Sequence, residues 1–217
     1  MRIVIFESVE KIKVSIENGT ITVEGWNEGY VEVEYTATDE AGIITKMEGN
    51  KLIIETPRRR FFKLFKNSPK GEVNVKINIP SDVPVQVVIA NGSVNGRNAL
   101  FELISSVNCD ISLEGCRAKT LATVSGRIRA SIKTADSLTV ATVNGPIELT
   151  LEELEDNVTV SSVNGDIHIF LSEFCDAKIR ANAVNGSIHI EDTHSINAGK
   201  YGVNVSTLNG SITIELI

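Results

Sequence analysis

The chain has 217 residues, 42% of them hydrophobic and 5% aromatic, with 28 acidic against 21 basic side chains and a net charge of -7. That length buries a full core as one domain, and the apolar content excludes a disordered chain. The acidic balance excludes a general nucleic-acid binder, since any anion binding would have to be local.

The opening MRIVIFE carries one basic residue and no apolar run of signal-peptide length, and no stretch anywhere is long and apolar enough to span a bilayer. The expectation is a cytoplasmic protein. Residues 1–85 read as β-rich but irregular: IKVSIENGTITVEG (12–25), VEVEYTA (31–37), KLIIET (51–56) and VNVKINIP (73–80) alternate in the period-2 manner of strands. They are expected to cap the first rung of the more regular region from residue 86 onward. Between the last two lies the basic loop 57–70, PRRRFFKLFKNSPK, with three of the seven Phe; its stretch from Arg58 to Lys70 carries six positive charges and leaves the remainder at -13.

From residue 86 to 217 one unit recurs. SSVNCDISL, ATVSGRIRA, ATVNGPIEL, SSVNGDIHI, NAVNGSIHI and STLNGSITI are copies of it, with a looser one at IANGSVNGR. The corner position falls at 92, 109, 126, 145, 165, 186 and 210, held by Gly except for Cys109, and the spacings are 17, 17, 19, 20, 21 and 24. These are the rung lengths of a solenoid. Apolar residues two and four positions after the Gly place a strand there, and apolar or small residues five and three before it place another. Asn-Gly between them accepts positive φ. A hairpin meander would use the same dipeptide, but it would set Val163 opposite Asp166 and Val124 opposite Arg127, a poor pairing in every copy. Around a coil, the residue before Asn (Val107, Val124, Val143, Val163, Val184, Leu208) is expected to point inward, and the Asn side chains to stack as an amide ladder. The predicted fold is all-β: a single β-solenoid domain, a single-stranded β-helix of about seven rungs with an irregular N-terminal cap.

VNVKINIP ending in Pro80, the NGSVNG at 91–96 and the T-V-N-G-x-I series resemble the bacterial and archaeal "putative adhesin" family of unknown function. The resemblance covers nearly the whole chain. It implies a β-helical domain, a place in envelope sensing or adhesion modules for members with membrane segments, and no catalytic residues.

Three positions after each corner lies an exposed column, Ser112, Arg129, Glu148, His168, His189, Thr213, read in sequence order. It predicts Arg129–Glu148 and Glu148–His168 ion pairs, and it makes His168 and His189 neighbours about 5 Å apart that titrate as a coupled pair. With His194 they are the candidate metal ligands, against the reading that they are a polar strand face; the latter is preferred, so no metal or cofactor is expected. Glu148 and Asp166 lie one rung apart without the grooved carboxylate pair that glycoside cleavage needs. The acidic run 151–156 reads as a solvated loop. The three cysteines, in neither CxxC nor zinc-finger spacing, read as reduced thiols, with Cys116 and Cys175 too far apart for a disulfide. Cys109 must take strain or shift its corner.

The expected function is non-catalytic: a scaffold or interaction module docking to an anionic membrane surface or a partner protein through Arg58, Arg59, Arg60, Phe61, Phe62, Lys63, Phe65 and Lys66. The competing reading of that loop is a cover for the open end of the core. A self-assembling β-helical structural protein and a polysaccharide-acting β-helix enzyme are the alternatives, and nucleic acid is the least favoured partner. Because STLNGSITIELI ends the sequence without a cap, the last rung is expected to expose an edge and to pair with a second copy as a homodimer.

Overall fold

The computed structural model describes residues 2–38, 42–57, 71–191 and 199–217. The basic segment from Arg58 to Lys70, and His194, lie outside the described residues. No helix occurs among those described, and none is long and apolar enough to cross a membrane. The strands in chain order are β1 (Arg2–Glu7), β2 (Lys11–Trp26), β3 (Tyr30–Ala37), β4 (Ile44–Glu48), β5 (Lys51–Glu55), β6 (Val73–Pro80), β7 (Pro84–Arg97) and β8 (Leu100–Ala118). There follow β9 (Thr120–Ser125), β10 (Ile128–Thr134), β11 (Thr139–Asn144), β12 (Ile147–Leu151), β13 (Val158–Asn164), β14 (Ile167–Leu171), β15 (Ala177–Asn185), β16 (Ile188–Ile190), β17 (Tyr201–Asn209) and β18 (Ile212–Leu216). All eighteen join one hydrogen-bonded sheet.

Each repeat forms one coil, bent at its Asn-Gly into a leading strand before the corner and a trailing strand after it. Consecutive coils stack in parallel and in register, as in Val140 beside Leu121 and Val160, and Ile147 beside Ile128 and Ile167. The inward residues form the core: Val140, Ile147, Leu149 and Leu151 of a single coil are all at most 1% exposed. The corners stack so tightly that backbone replaces side chain there. Gly145 has φ +149°, and a Cβ on it would lie 2.1 Å from the carbonyl oxygen of Gly126 one coil below. Cys109 is not among the residues with positive φ; it stays in register with Gly92 of the neighbouring coil, and its thiol turns inward, 2% exposed.

The Asn side chains form the expected ladder along the corner. Asn91 donates to Asn18 at 2.9 Å, Asn108 to Asn91 at 3.0 Å, Asn164 to Asn144 at 2.8 Å, Asn209 to Asn164 at 2.7 Å and Asn185 to Asn209 at 2.9 Å. Ser125 interrupts it, standing between Asn108 and Asn144 in the register.

The residue before each Asn corrects the inward expectation. Val107, Val124, Val143, Val163, Val184 and Leu208 are 38–64% exposed and point outward. Strict alternation decides it: the position before them turns in, where Ser106, Thr123, Thr142, Ser162 and Thr207 are buried as an internal hydroxyl column. Thr207 Oγ1 donates to Gly165 O at 3.2 Å and Thr123 Oγ1 to Ser125 O at 3.0 Å, so small polar groups fill the narrow inside of the bend.

Stacking order departs from sequence order at both ends. β2 pairs over nearly its whole length with β7, so the coils reach back to Lys11. On its other side β2 pairs with β5 along Lys11–Ser15 and with β6 along Gly19–Trp26, which makes β5 and β6 the two arms of one outer coil. Antiparallel strands then finish this end: β3 on β6, β1 on β3, and β4 on β5, with Val31 and Val33 of β3 fully buried. At the other end β17 and β18 pair with β13 and β14 on one side and with β15 and β16 on the other. Among the described residues the stack therefore runs β5/β6, β2, β7, β8, β9/β10, β11/β12, β13/β14, β17/β18, β15/β16. This corrects the expectation of an open C-terminal rung. Both edges of β18 are paired, so the homodimer through that rung has no free edge to use, and the outer coil is β15/β16 instead. That coil tapers, with Ala177, Ala181 and Ala183 at its inward positions and Lys178 and Arg180 exposed on the outside.

Candidate functional site

The trailing face carries the charged columns that the sequence singled out. In space the column reads Ser112, Arg129, Glu148, His168, Thr213, His189. His168 and His189 are thus not neighbours: Thr213 of the inserted coil separates them, which removes the coupled pair and the two-histidine metal site built on it. Among the described residues no group of three or more His, Cys, Asp or Glu is arranged to hold a metal ion.

The carboxylates of this face that the sequence singled out, Glu148 and Asp166, have structural occupations. Glu148 is held by Arg129 at 2.9 Å, as expected, and the neighbouring column repeats the device with Arg97 and Glu114 at 2.6 Å. His168 does not pair with Glu148. Its Nε2 lies 3.0 Å from Glu215 Oε1, without the alignment of a hydrogen bond, and its ring packs on Phe170 at 4.2 Å between centroids. Asp166 accepts from the backbone N–H of Ser211 at 2.8 Å, and Asp110 does the same for Arg127, so an Asp after the corner caps the next coil. In the acidic run, Asp156 accepts from Ser137 and from the Asn157 backbone, which holds its carboxyl below the usual range.

The thiols are protected. Burial pushes Cys109 up to about 11 and raises Cys116 and Cys175 as well, and none of the three is disulfide-bonded. A thiol kept neutral by an apolar surrounding is a packing group rather than a nucleophile.

The basic segment enters the architecture through its two roots. β5 ends opposite Ser15 and β6 begins opposite Gly19, so where β2 turns its corner with Ile16, Glu17 and Asn18, the outer coil carries Thr56 to Glu72. The insertion therefore springs from a corner of the outermost parallel coil. Thr38 ties down its far root, its Oγ1 accepting from the Glu72 N–H at 3.0 Å and its own N–H donating to Glu72 O at 3.2 Å.

Residues 86–215 match the model of the family described as Toastrack DUF4097. The chain belongs to that family. The Toastrack match holds every corner from Gly92 to Gly210, while β2 and the β5/β6 coil continue the same stack ahead of it. Solved structures similar over 100% of this chain include a "putative cell adhesion protein" from Clostridium sporogenes, with 14% identity, a TM-score of 0.41 and 98% of that chain covered. Others are a "putative adhesin" from Bacteroides fragilis (13%, 0.44, 97%) and a "putative lipid binding protein" from Parabacteroides distasonis (12%, 0.44, 95%). No curated protein matches the chain.

Proposed function

We propose that this Toastrack domain is a non-catalytic interaction module that docks on an anionic membrane surface through the basic, aromatic segment between β5 and β6. The observation that carries the reading is the place of the insertion. It interrupts a corner that every other coil turns in a few residues, at the end of the stack, and it gathers Arg58, Arg59, Arg60, Lys63 and Lys66 with Phe61, Phe62 and Phe65 in a chain otherwise strongly acidic. Near such a surface each Lys or Arg is worth about 1 kcal/mol, and the Phe enter the headgroup boundary. The module then works in the cytoplasm, against a leaflet rich in anionic lipid. The structural occupations of Glu148 and Asp166, and the packing of His168 on Phe170, favour binding over polysaccharide cleavage.

Co-sedimentation with vesicles of neutral lipid, and of neutral plus anionic lipid, tests this. The parent is expected to pellet only with the anionic vesicles, and a variant with Arg58, Arg59, Arg60, Lys63 and Lys66 changed to Glu is expected to stay in solution. Equal behaviour of the two proteins, bound or unbound, overturns the reading.

A further inference from the structure

The outward side of the leading strands differs from the trailing face of the same coils. From β7 along the stack to β17, the outward residues two, four and six positions before each corner include no Asp, Glu, Lys or Arg. The chain as a whole is 23% charged, and the trailing face on the same coils carries Arg97, Glu114, Arg129, Glu148 and Glu215. Charge returns at the borders of the field: Lys13 and Glu17 on the β2 coil, Arg180 on the β15 coil, and Glu102 of β8 at the edge beside Gln86, where it is paired with Lys11.

Within the field the three columns have distinct relief. Val107, Val124, Val143, Val163 and Leu208 form a continuous apolar ridge on consecutive coils, 38–49% exposed. Beside it Ser105, Ala122, Ala141 and Ser161 form a column of small side chains, a shallow trough parallel to the ridge. A ridge of branched apolar groups next to a trough of the same pitch is self-complementary.

We infer that this face is a dimerisation surface, occupied by the same face of a second copy of the chain. A two-fold axis parallel to the coil axis, running between ridge and trough, sets Val143 of one copy over Ala141 of the other and repeats that contact on every coil. Large residues then meet small ones throughout, as in packed sheet faces. Net charge selects this face for self-association: two copies at -7 repel, and here they meet with no like charges opposed. Six coils at a rise of about 4.8 Å and three outward positions at a step of about 6.8 Å give roughly 600 Å² a side, or roughly 1,200 Å² in total, the lower bound of stable complexes. An uncharged centre with a charged rim is also the usual anatomy of an interface. The inference is independent of the membrane reading, because the basic segment leaves the stack beyond the field's charged border.

Sedimentation velocity of the full chain between about 1 and about 300 µM is the test, with half-dimerisation expected on the order of 10 µM. Changing Val124 and Val143 together to Glu is expected to weaken dimerisation at least tenfold, and the Val124→Ser, Val143→Ser pair to weaken it in the same direction without adding charge. Ser112→Glu, which adds a charge beside Arg129 on the opposite face, and removal of residues 58–70 are both expected to leave the dimer intact. Far-ultraviolet circular dichroism identifies folded variants. A parent that stays monomeric throughout overturns the inference, as does a folded ridge variant that dimerises as well as the parent.

Discussion

The side-chain amide of Asn209 donates to Asn164 Oδ1 at 2.7 Å, although the corner of Asn185 comes between them in the sequence. That one contact fixes the order of the last coils. The chain leaves the β13/β14 coil, builds the outermost coil with β15 and β16, and returns to fill the space between. The final strand is therefore clamped from both sides. The other end follows the same plan, where β2 is laid down early and the β5/β6 coil is added outside it. In both places the sequence-terminal coil is an interior one, which keeps its backbone groups paired where a simple spiral would leave an edge.

Thr213→Pro measures that clamp. Proline removes the residue-213 N–H and fits only edge strands, and β18 lies between β14 and β16. The substitution is expected to leave a neighbouring acceptor unsatisfied, at about 1–3 kcal/mol for that group alone. Urea unfolding should show a lower midpoint, with protection from hydrogen exchange lost in β16 as well as β18. Were the last coil an open edge, the midpoint would scarcely move.

A pH dependence is built into the outer rim of the leading face. Glu102 bridges two coils, accepting from Lys11 Nζ at 2.5 Å and from Gln86 Nε2 at 2.9 Å. The hydrogen bond from Lys11 is the largest influence on its carboxyl and lowers it, against the opposing effect of partial burial and with help from Gln86. A carboxyl lowered in the folded state contributes stability that is present above its unfolded value and is lost as pH falls through the folded one. The parent is therefore expected to lose more stability than Glu102→Gln between neutral and acidic pH. Parallel urea titrations at the two pH values check it; equal losses would place the acid sensitivity elsewhere.

The sequence carries the coil but not its stacking order, and the reason is physical. Every copy offers the same corner, the same small residue inside it and the same apolar pair after it, so any coil stacks equally well on any other. What separates adjacent from skipped neighbours is connector length: the coils with corners at Gly126, Gly145 and Gly165 follow at 19 and 20 residues and stack in order, whereas the steps of 21 and 24 carry the chain outward and back. That signal is present only as a gradual lengthening. The two-residue alternation is likewise readable. Carried up the leading strand from Val140, it puts Thr142 inside and Val143 outside, and its phase resets at the corner, where Val143 and Asn144 both face out before Ile147 turns in; hydrophobicity alone, which gives an apolar residue beside a turn a core role, puts Val143 on the wrong side. The ion pair of Arg129 with Glu148 is predictable because both lie in coils that do stack in order, and the His168–His189 pairing fails because it spans the inversion. Among the candidate sites, the basic segment is legible from charge alone, while its root in a coil corner needs the pairing of β5 and β6 with the two halves of β2.

Gly96 supplies the sharpest test of the core. It is the one glycine of the β7 coil that faces inward away from the corner, buried and in register with Leu113 of the next coil. A Cβ there would meet Phe101 Cε2 at 2.5 Å and Leu113 Cδ2 at 2.7 Å. Phe101 is fully buried and is the only Phe in the core among the described residues, so the missing side chain of Gly96 is the space its ring occupies. Gly96→Ala is expected to cost about 1–3 kcal/mol by overpacking, since the ring is enclosed and the coils above and below fix the backbone. Phe101→Leu alone is expected to destabilise as well, by opening a void. Combined, the two changes compensate: the added methyl fills space that the shorter side chain vacates, and the double variant should be more stable than the sum of the single effects predicts. A urea-unfolding cycle over the four proteins reads the coupling directly, and strict additivity would show that the ring and the glycine do not share one space.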